Sequence, residues 1–189
     1  MKIRLNYWQL ILLFLPTIAA FTTFNFLHTT QVSFRVVDFL FVLNICLATC
    51  YQAYLAIGFN KQNANQSTWF SIHMYIPVIF TITYLLYSAY FTFIKPSYAN
   101  FKVEPIKRIS HNSTTSIILF FLFYTAITFF IINNRYVSAQ IKKVVDVDEQ
   151  ENLRLTFLNP MKQLVKVSWI VIIGGFALSV IIDIVRQAI

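Results

Sequence analysis

Five stretches of this chain stay apolar for about as long as a helix needs to cross the hydrocarbon core of a bilayer, roughly 20 residues. They cover residues 8–27, 36–59, 69–94, 114–132 and 165–185. A backbone in lipid has no water to pair with, so only helices and closed barrels can span it. Barrel strands alternate polar and apolar residues over about 10 positions. Here the runs are apolar on every side, as in Ile117-Ile118-Leu119-Phe120-Phe121-Leu122-Phe123. The sequence therefore predicts an all-α polytopic integral membrane protein. It forms one membrane domain over residues 1–189, a bundle of five transmembrane helices with one extramembrane connection of roughly 30 residues (133–164). The second and third runs exceed the minimum length, so those helices are expected to tilt or to extend beyond the lipid.

Composition agrees with this reading. Hydrophobic residues make up 58% of the chain and charged residues 12%. A water-soluble domain carries about 25% charged residues, so this chain has too little polar surface to cover a soluble globule. Disorder is excluded for the opposite reason, since disordered chains are poor in apolar residues. The first run, preceded by Lys2 and Arg4, has some features of a signal peptide. It is longer than the usual apolar region of about 7–15 residues and lacks a clean small-x-small site, so it is read as a retained anchor.

With five spans the termini lie on opposite faces. The N-terminal face then holds nine basic residues and the other face six. Lys and Arg concentrate in cytoplasmic loops, so the N-terminus is expected to be cytoplasmic, or on the matrix or stromal side. Trp8, Trp69 and Trp169 each stand near the start of an odd-numbered span. They would form a belt at one interface, where an indole is half dry and its N–H can find a partner.

The connections are read as follows. Residues 60–68 form a solvated polar loop. Residues 95–113, with Pro96, Pro105 and four bases, either connect two spans or lie on anionic headgroups. Arg135–Val145 continues the fourth helix with Val137, Ile141, Val144 and Val145 on one side. Asp146, Asp148, Glu149 and Glu151 form a solvated turn without the glycine and ligand spacing of a calcium loop. Leu153–Phe157 alternates like a short extended segment. Asn159-Pro160 reads as an N-cap followed by proline in the first helical turn.

Ionisable groups inside lipid are costly, which makes each one a functional candidate. Asp38 and Asp183 sit near the ends of spans two and five, within reach of Arg35 and Arg186. No acid, lysine or arginine lies near a span centre, which argues against a proton-driven pump. Asn44 and Gln52 are eight residues apart on one face of span two and are expected to hydrogen-bond to other helices, with a ligand-lined cavity as the alternative. Cys46 and Cys50 read as free buried thiols. His28 and His111 are placed on the same outer face and His73 on the other. They do not make the facing pairs of a haem site or the clusters of a di-iron site, so neither metal nor cofactor is expected.

Hydrolase, metalloprotease and phosphate-loop motifs are missing, and no internal repeat of the kind that builds secondary transporters is present. The net charge of +8 is spread over loops on both faces, which suits anionic lipid headgroups better than nucleic acid. The three glycines include Gly174-Gly175 in span five, where a neighbouring helix could approach or a bend could form. Pro16 and Pro77 are potential kinks. The function expected is that of a structural or accessory subunit in a larger membrane complex, surrounded by lipids and other membrane subunits and without catalytic activity of its own. A small transporter or channel built around Asp38, Asn44, Gln52 and Asp183 is the second reading. A lipid-modifying enzyme using His28 and His111 is the third.

Overall fold

The computed structural model describes residues 5–26, 31–62, 66–94 and 105–188, and every regular element among them is helical. The helices are α1 (Tyr7–Leu13), α2 (Leu15–Phe26), α3 (Gln31–Gln62), α4 (Thr68–Ala89), α5 (Pro105–Ile127), α6 (Asn133–Ile141), α7 (Val147–Leu153) and α8 (Asn159–Ala188). Turns of π-helix at Tyr90–Ile94, Thr128–Ile132 and Arg154–Leu158 extend α4, join α5 to α6 and join α7 to α8. Four of the resulting helices are long and apolar enough to cross a membrane: Arg35–Gln62, Thr68–Ile94, Ser116–Ile141 and Val147–Gln187. Four such helices point to a membrane-embedded, multi-pass chain.

The first apolar run is divided. α1 and α2 meet at Phe14, whose N–H reaches back only three residues, to the Ile11 carbonyl at 2.9 Å. Pro16 explains the break, because it has no N–H to return to the Leu12 carbonyl and its ring crowds that turn. Neither piece alone is long enough to span. Pro77 lies inside α4 without ending it. There the Thr81 hydroxyl folds back onto the Pro77 carbonyl at 2.8 Å.

The third helix is the axis of the fold. It packs along α2 and α4 and also meets α1, α6 and α8. Its apolar window is 56% buried, against 17–22% for the other three long helices. The main core lies towards one end of the bundle. Leu10 and Phe14 come to it from the first helices, and Leu55, Ala56 and Phe59 from α3. Phe70 and Met74 join from α4, Val137 and Ile141 from α6, and Met161 and Leu164 from α8. Rings lock this end: Phe70 stacks on Tyr136 with centroids 3.9 Å apart, and Phe59 meets Phe157 edge-on at 5.9 Å. The outward faces of α4, α5 and the second half of α8 stay uncovered and apolar, with Ile79, Phe123 and Phe176 each more than half exposed. A soluble monomer seldom exposes so much contiguous apolar surface.

Several local expectations are corrected. The loop 60–68 is not simply solvated: α3 continues to Gln62, and Asn60 is buried. The Asn60 amide donates to the Ser67 carbonyl at 2.9 Å and accepts from the Ser67 N–H at 3.0 Å, while Ser67 caps α4 through the Phe70 N–H. The acidic run is a helix start, with the Asp146 side chain accepting from the Asp148 N–H at 3.0 Å. Asp148 and Glu149 occupy the first turn, where the helix dipole favours negative charge. Leu153–Phe157 is helical rather than extended, and Asn159 is not an N-cap, because the chain is already helical when it arrives. The π turn stands just before Pro160, whose missing N–H and bulky ring perturb the regular ladder at that point. The expected continuation of the fourth helix does form, but it ends at Ile141, with Val137 and Ile141 buried and Val145 exposed. Residues 95–104 of the basic connection lie outside the described residues. From Pro105 the backbone already belongs to α5.

Candidate functional site

The polar residues of α3 face its neighbours at the points where those neighbours are irregular. Asn44 is buried opposite the break between α1 and α2. Its Nδ2 donates to the Leu13 carbonyl at 2.8 Å, and its Oδ1 accepts from the Thr17 hydroxyl at 2.7 Å. Two turns further along, Gln52 is 2% exposed and faces the π turn Thr128–Ile132. Its Nε2 donates to the Phe129 carbonyl at 2.5 Å, and its Oε1 accepts from Asn133 Nδ2 at 2.9 Å. A π turn displaces carbonyls from the regular i→i−4 ladder, which makes one available to a side chain of another helix. Both amides therefore act as interhelical ties.

A cleft of about 310 Å³ lies beside these ties, bounded by α3, α5, α8 and the break at Phe14. Its walls are mostly apolar, from Phe14, Ile45, Leu122, Phe130 and Ile172, with Thr49, Thr125 and Ser168 as hydroxyl groups. The Ser168 hydroxyl donates to its own helix, at the Leu164 carbonyl. The Thr125 hydroxyl is buried without a hydrogen-bond partner. Thr125 also borders a smaller void of about 10 Å³, lined by Gln52, Thr128 and Asn133, and the Asn133 Oδ1 there is unpartnered too. That volume is close to what one water needs, and the two free groups are the kind a water bridges.

A third polar contact ties α4 to α5. The His73 Nδ1 and the Tyr124 hydroxyl share a short hydrogen bond, and His73 Nε2 lies 3.4 Å from the Thr128 hydroxyl. His73 is thus a packing residue with both ring nitrogens engaged.

The two acids are not brought together. Asp38 is exposed on α3 and accepts from the Ser88 hydroxyl at 3.3 Å. Asp183 is exposed near the end of α8. The guanidinium of its neighbour Arg186 donates to the Asn25 carbonyl of α2 instead. Asn25 also donates to the Ser179 hydroxyl at 2.9 Å, so α2 and α8 are held by neutral and mixed hydrogen bonds. His28 lies outside the described residues. So does the side chain of His111, whose backbone belongs to α5. Among the described residues no group of three His, Cys, Asp or Glu could hold a metal ion, and Cys46 and Cys50 are free.

Asn133, Tyr124 and the carbonyl of Phe129 were not legible as parts of this arrangement. Asn133 follows the fourth apolar run by one residue and reads as the start of a loop. A carbonyl carries no sequence signal at all. The site as a whole offers neutral donors and acceptors and an apolar cleft, with no charged side chain in either tie. Comparison with family models, curated proteins and solved structures finds no match to this chain.

Proposed function

We propose that this chain is a small polytopic membrane protein crossing the bilayer five times and serving as a structural or accessory subunit of a larger membrane complex. One observation carries the reading. The buried amides of Asn44 and Gln52 tie helices to one another at their irregular points, while the apolar faces of α4, α5 and α8 remain uncovered. A scaffold fixed from within and apolar on the outside suits a static member of an assembly.

Five crossings require α1 and α2 to act as one broken span. From Tyr7 to Phe26 they cover about 30 Å at 1.5 Å per residue, close to the thickness of the hydrocarbon core. The excess of bases on the N-terminal face supports a cytoplasmic N-terminus. The exposure of Trp8, Trp69 and Trp169 supports an interfacial belt on that face. The cleft beside Asn44 favours a carrier as the second reading.

Purification from the native membrane in mild detergent tests the proposal. Other membrane proteins co-purifying in fixed stoichiometry are the expected result. A monodisperse chain that moves solute across liposomes would replace the subunit with the carrier. Reporters fused ahead of α1 and after Gln187 should report opposite faces, and the same face for both would remove the crossing by α1 and α2.

A further inference from the structure

Arg135 on α6, Lys142 at its C-terminal cap and Lys162 on α8 line one cleft of about 400 Å³, together with Asn134 and Ser138. No acid lines it. Among the described residues the ion pair present is Arg154–Glu151, which involves none of these three cations. Three like charges converging on a concave surface repel one another unless an anion joins them.

Their depth says which anion. Arg135 stands three residues beyond the apolar run 114–132, and Lys162 three residues before the run 165–185. Both therefore lie at the headgroup level on the proposed crossings. Trp169, half exposed on α8, meets Phe130 at a centroid distance of 5.1 Å. Phe130, about one helical turn before Asn134 on the same continuous helix, belongs to the wall of the apolar cleft. A cationic cleft and an apolar one thus follow each other along one pair of helices, from the interface towards mid-membrane.

We infer that an anionic phospholipid binds between the α5–α6 helix and α8, its phosphate held by Arg135, Lys142 and Lys162 and one acyl chain lying in the apolar cleft past Phe130. The site is separate from the subunit reading, although it rests on the same membrane crossings. A basic pocket between helices recognises an anionic headgroup by charge and hydrogen bonds. The neighbouring apolar cleft distinguishes a lipid from free phosphate.

Native mass spectrometry of the full chain in mild detergent tests this, with phosphatidylglycerol and phosphatidylcholine of equal chain length as probes. One phosphatidylglycerol per chain should be retained in preference to phosphatidylcholine. The double variant Arg135→Gln/Lys162→Gln should weaken that retention by about thirtyfold. Lys61→Gln/Lys143→Gln removes the same charge from exposed positions outside the cleft and should leave retention unchanged. Equal losses in the two double variants would overturn the site in favour of a diffuse field. Ala126→Phe, which fills the apolar cleft, should weaken phosphatidylglycerol and leave inorganic phosphate binding as it was. No effect of Ala126→Phe, with full displacement of the lipid by phosphate, would overturn the lipid and leave a free-anion site. Retention partly restored in Arg135→Gln/Lys162→Arg, where a different cation replaces the lysine, would show that lost charge and not lost fold weakens the double variant.

Discussion

Asn44 of α3 bonds to the Leu13 carbonyl where the first apolar run loses its helical continuity, at 2.8 Å and from a buried position. The same amide accepts from Thr17 on the far side of the break. One side chain therefore grips both halves of a proline-interrupted helix. Asn44→Leu should destabilise the bundle by about 1–3 kcal/mol, since a carbonyl and a hydroxyl lose their partner in an apolar setting. Unfolding of the purified protein by titrated denaturing detergent measures the loss. Thr17→Val in the Asn44→Leu background should cost less than it does alone, because the hydroxyl already lacks its acceptor. Strict additivity would mean that the two residues do not act as a pair.

The tie at Gln52 is more demanding. Its amide must donate to the Phe129 carbonyl and accept from Asn133 at once. Gln52→Glu keeps the shape, removes the donor and places a carboxylate against a carbonyl oxygen at a fully buried site. It should be worse than Gln52→Met by about 2 kcal/mol or more, as a buried group left charged or unpaired costs more than an apolar replacement. The same denaturation assay ranks the two. A Glu variant as stable as the Met variant would show that the site accommodates the acid, by admitting water or by holding it protonated with its O–H on the Phe129 carbonyl.

How much of this could be read from the residues depends on the strength of each local signal. The long helices were visible because an uninterrupted apolar run of bilayer length has few other uses. Asn44 and Gln52 stood out because amides inside such runs need partners, and their spacing put them on one side of α3. Their actual partners were hidden, because each bonds to a carbonyl exposed by an irregular turn. At Leu153–Phe157 the pattern was ambiguous in principle. Five residues that alternate in polarity also satisfy an i,i+4 helical spacing. The structure buries Leu153, Phe157 and Leu158 while Leu155 is exposed, which is helical spacing rather than strand alternation. Asn159-Pro160 carried a genuine helix-start signal, overridden by the π turn that precedes the proline.

The cap at Asp146 gives a prediction outside the apolar segments. Its side chain accepts from the Asp148 N–H at the start of α7. Asp146→Ala should cost about 0.5–2 kcal/mol locally. The cost should appear as faster amide hydrogen exchange over Val147–Leu153. Exchange in α3 and α4 should stay as it was, because Asp146 is exposed and caps the start of α7, whereas the core residue of that helix, Leu153, stands at its other end.

Adjacent glycines in α8 should respond in opposite ways. A Cβ at Gly175 would overlap the ring of Phe21 on α2, whereas a Cβ at Gly174 meets nothing. Phe21 is itself fixed by edge-on contacts with Phe41 at 5.3 Å and Phe176 at 5.6 Å, so it cannot turn away without giving up those contacts. Gly175→Leu should therefore separate α2 from α8 and destabilise the fold by about 1–3 kcal/mol. Gly174→Leu should be neutral in the isolated chain and gain a little helix propensity. The same Gly174→Leu change, made in the native membrane, distinguishes lipid from protein on that face. Lipid accommodates an added side chain, but a closely packed helix of a partner subunit would be displaced. Loss of co-purifying proteins in Gly174→Leu with unchanged stability of the isolated chain is the outcome expected if the open side of α8 is the assembly surface. Unchanged co-purification would move that surface to α4 or α5.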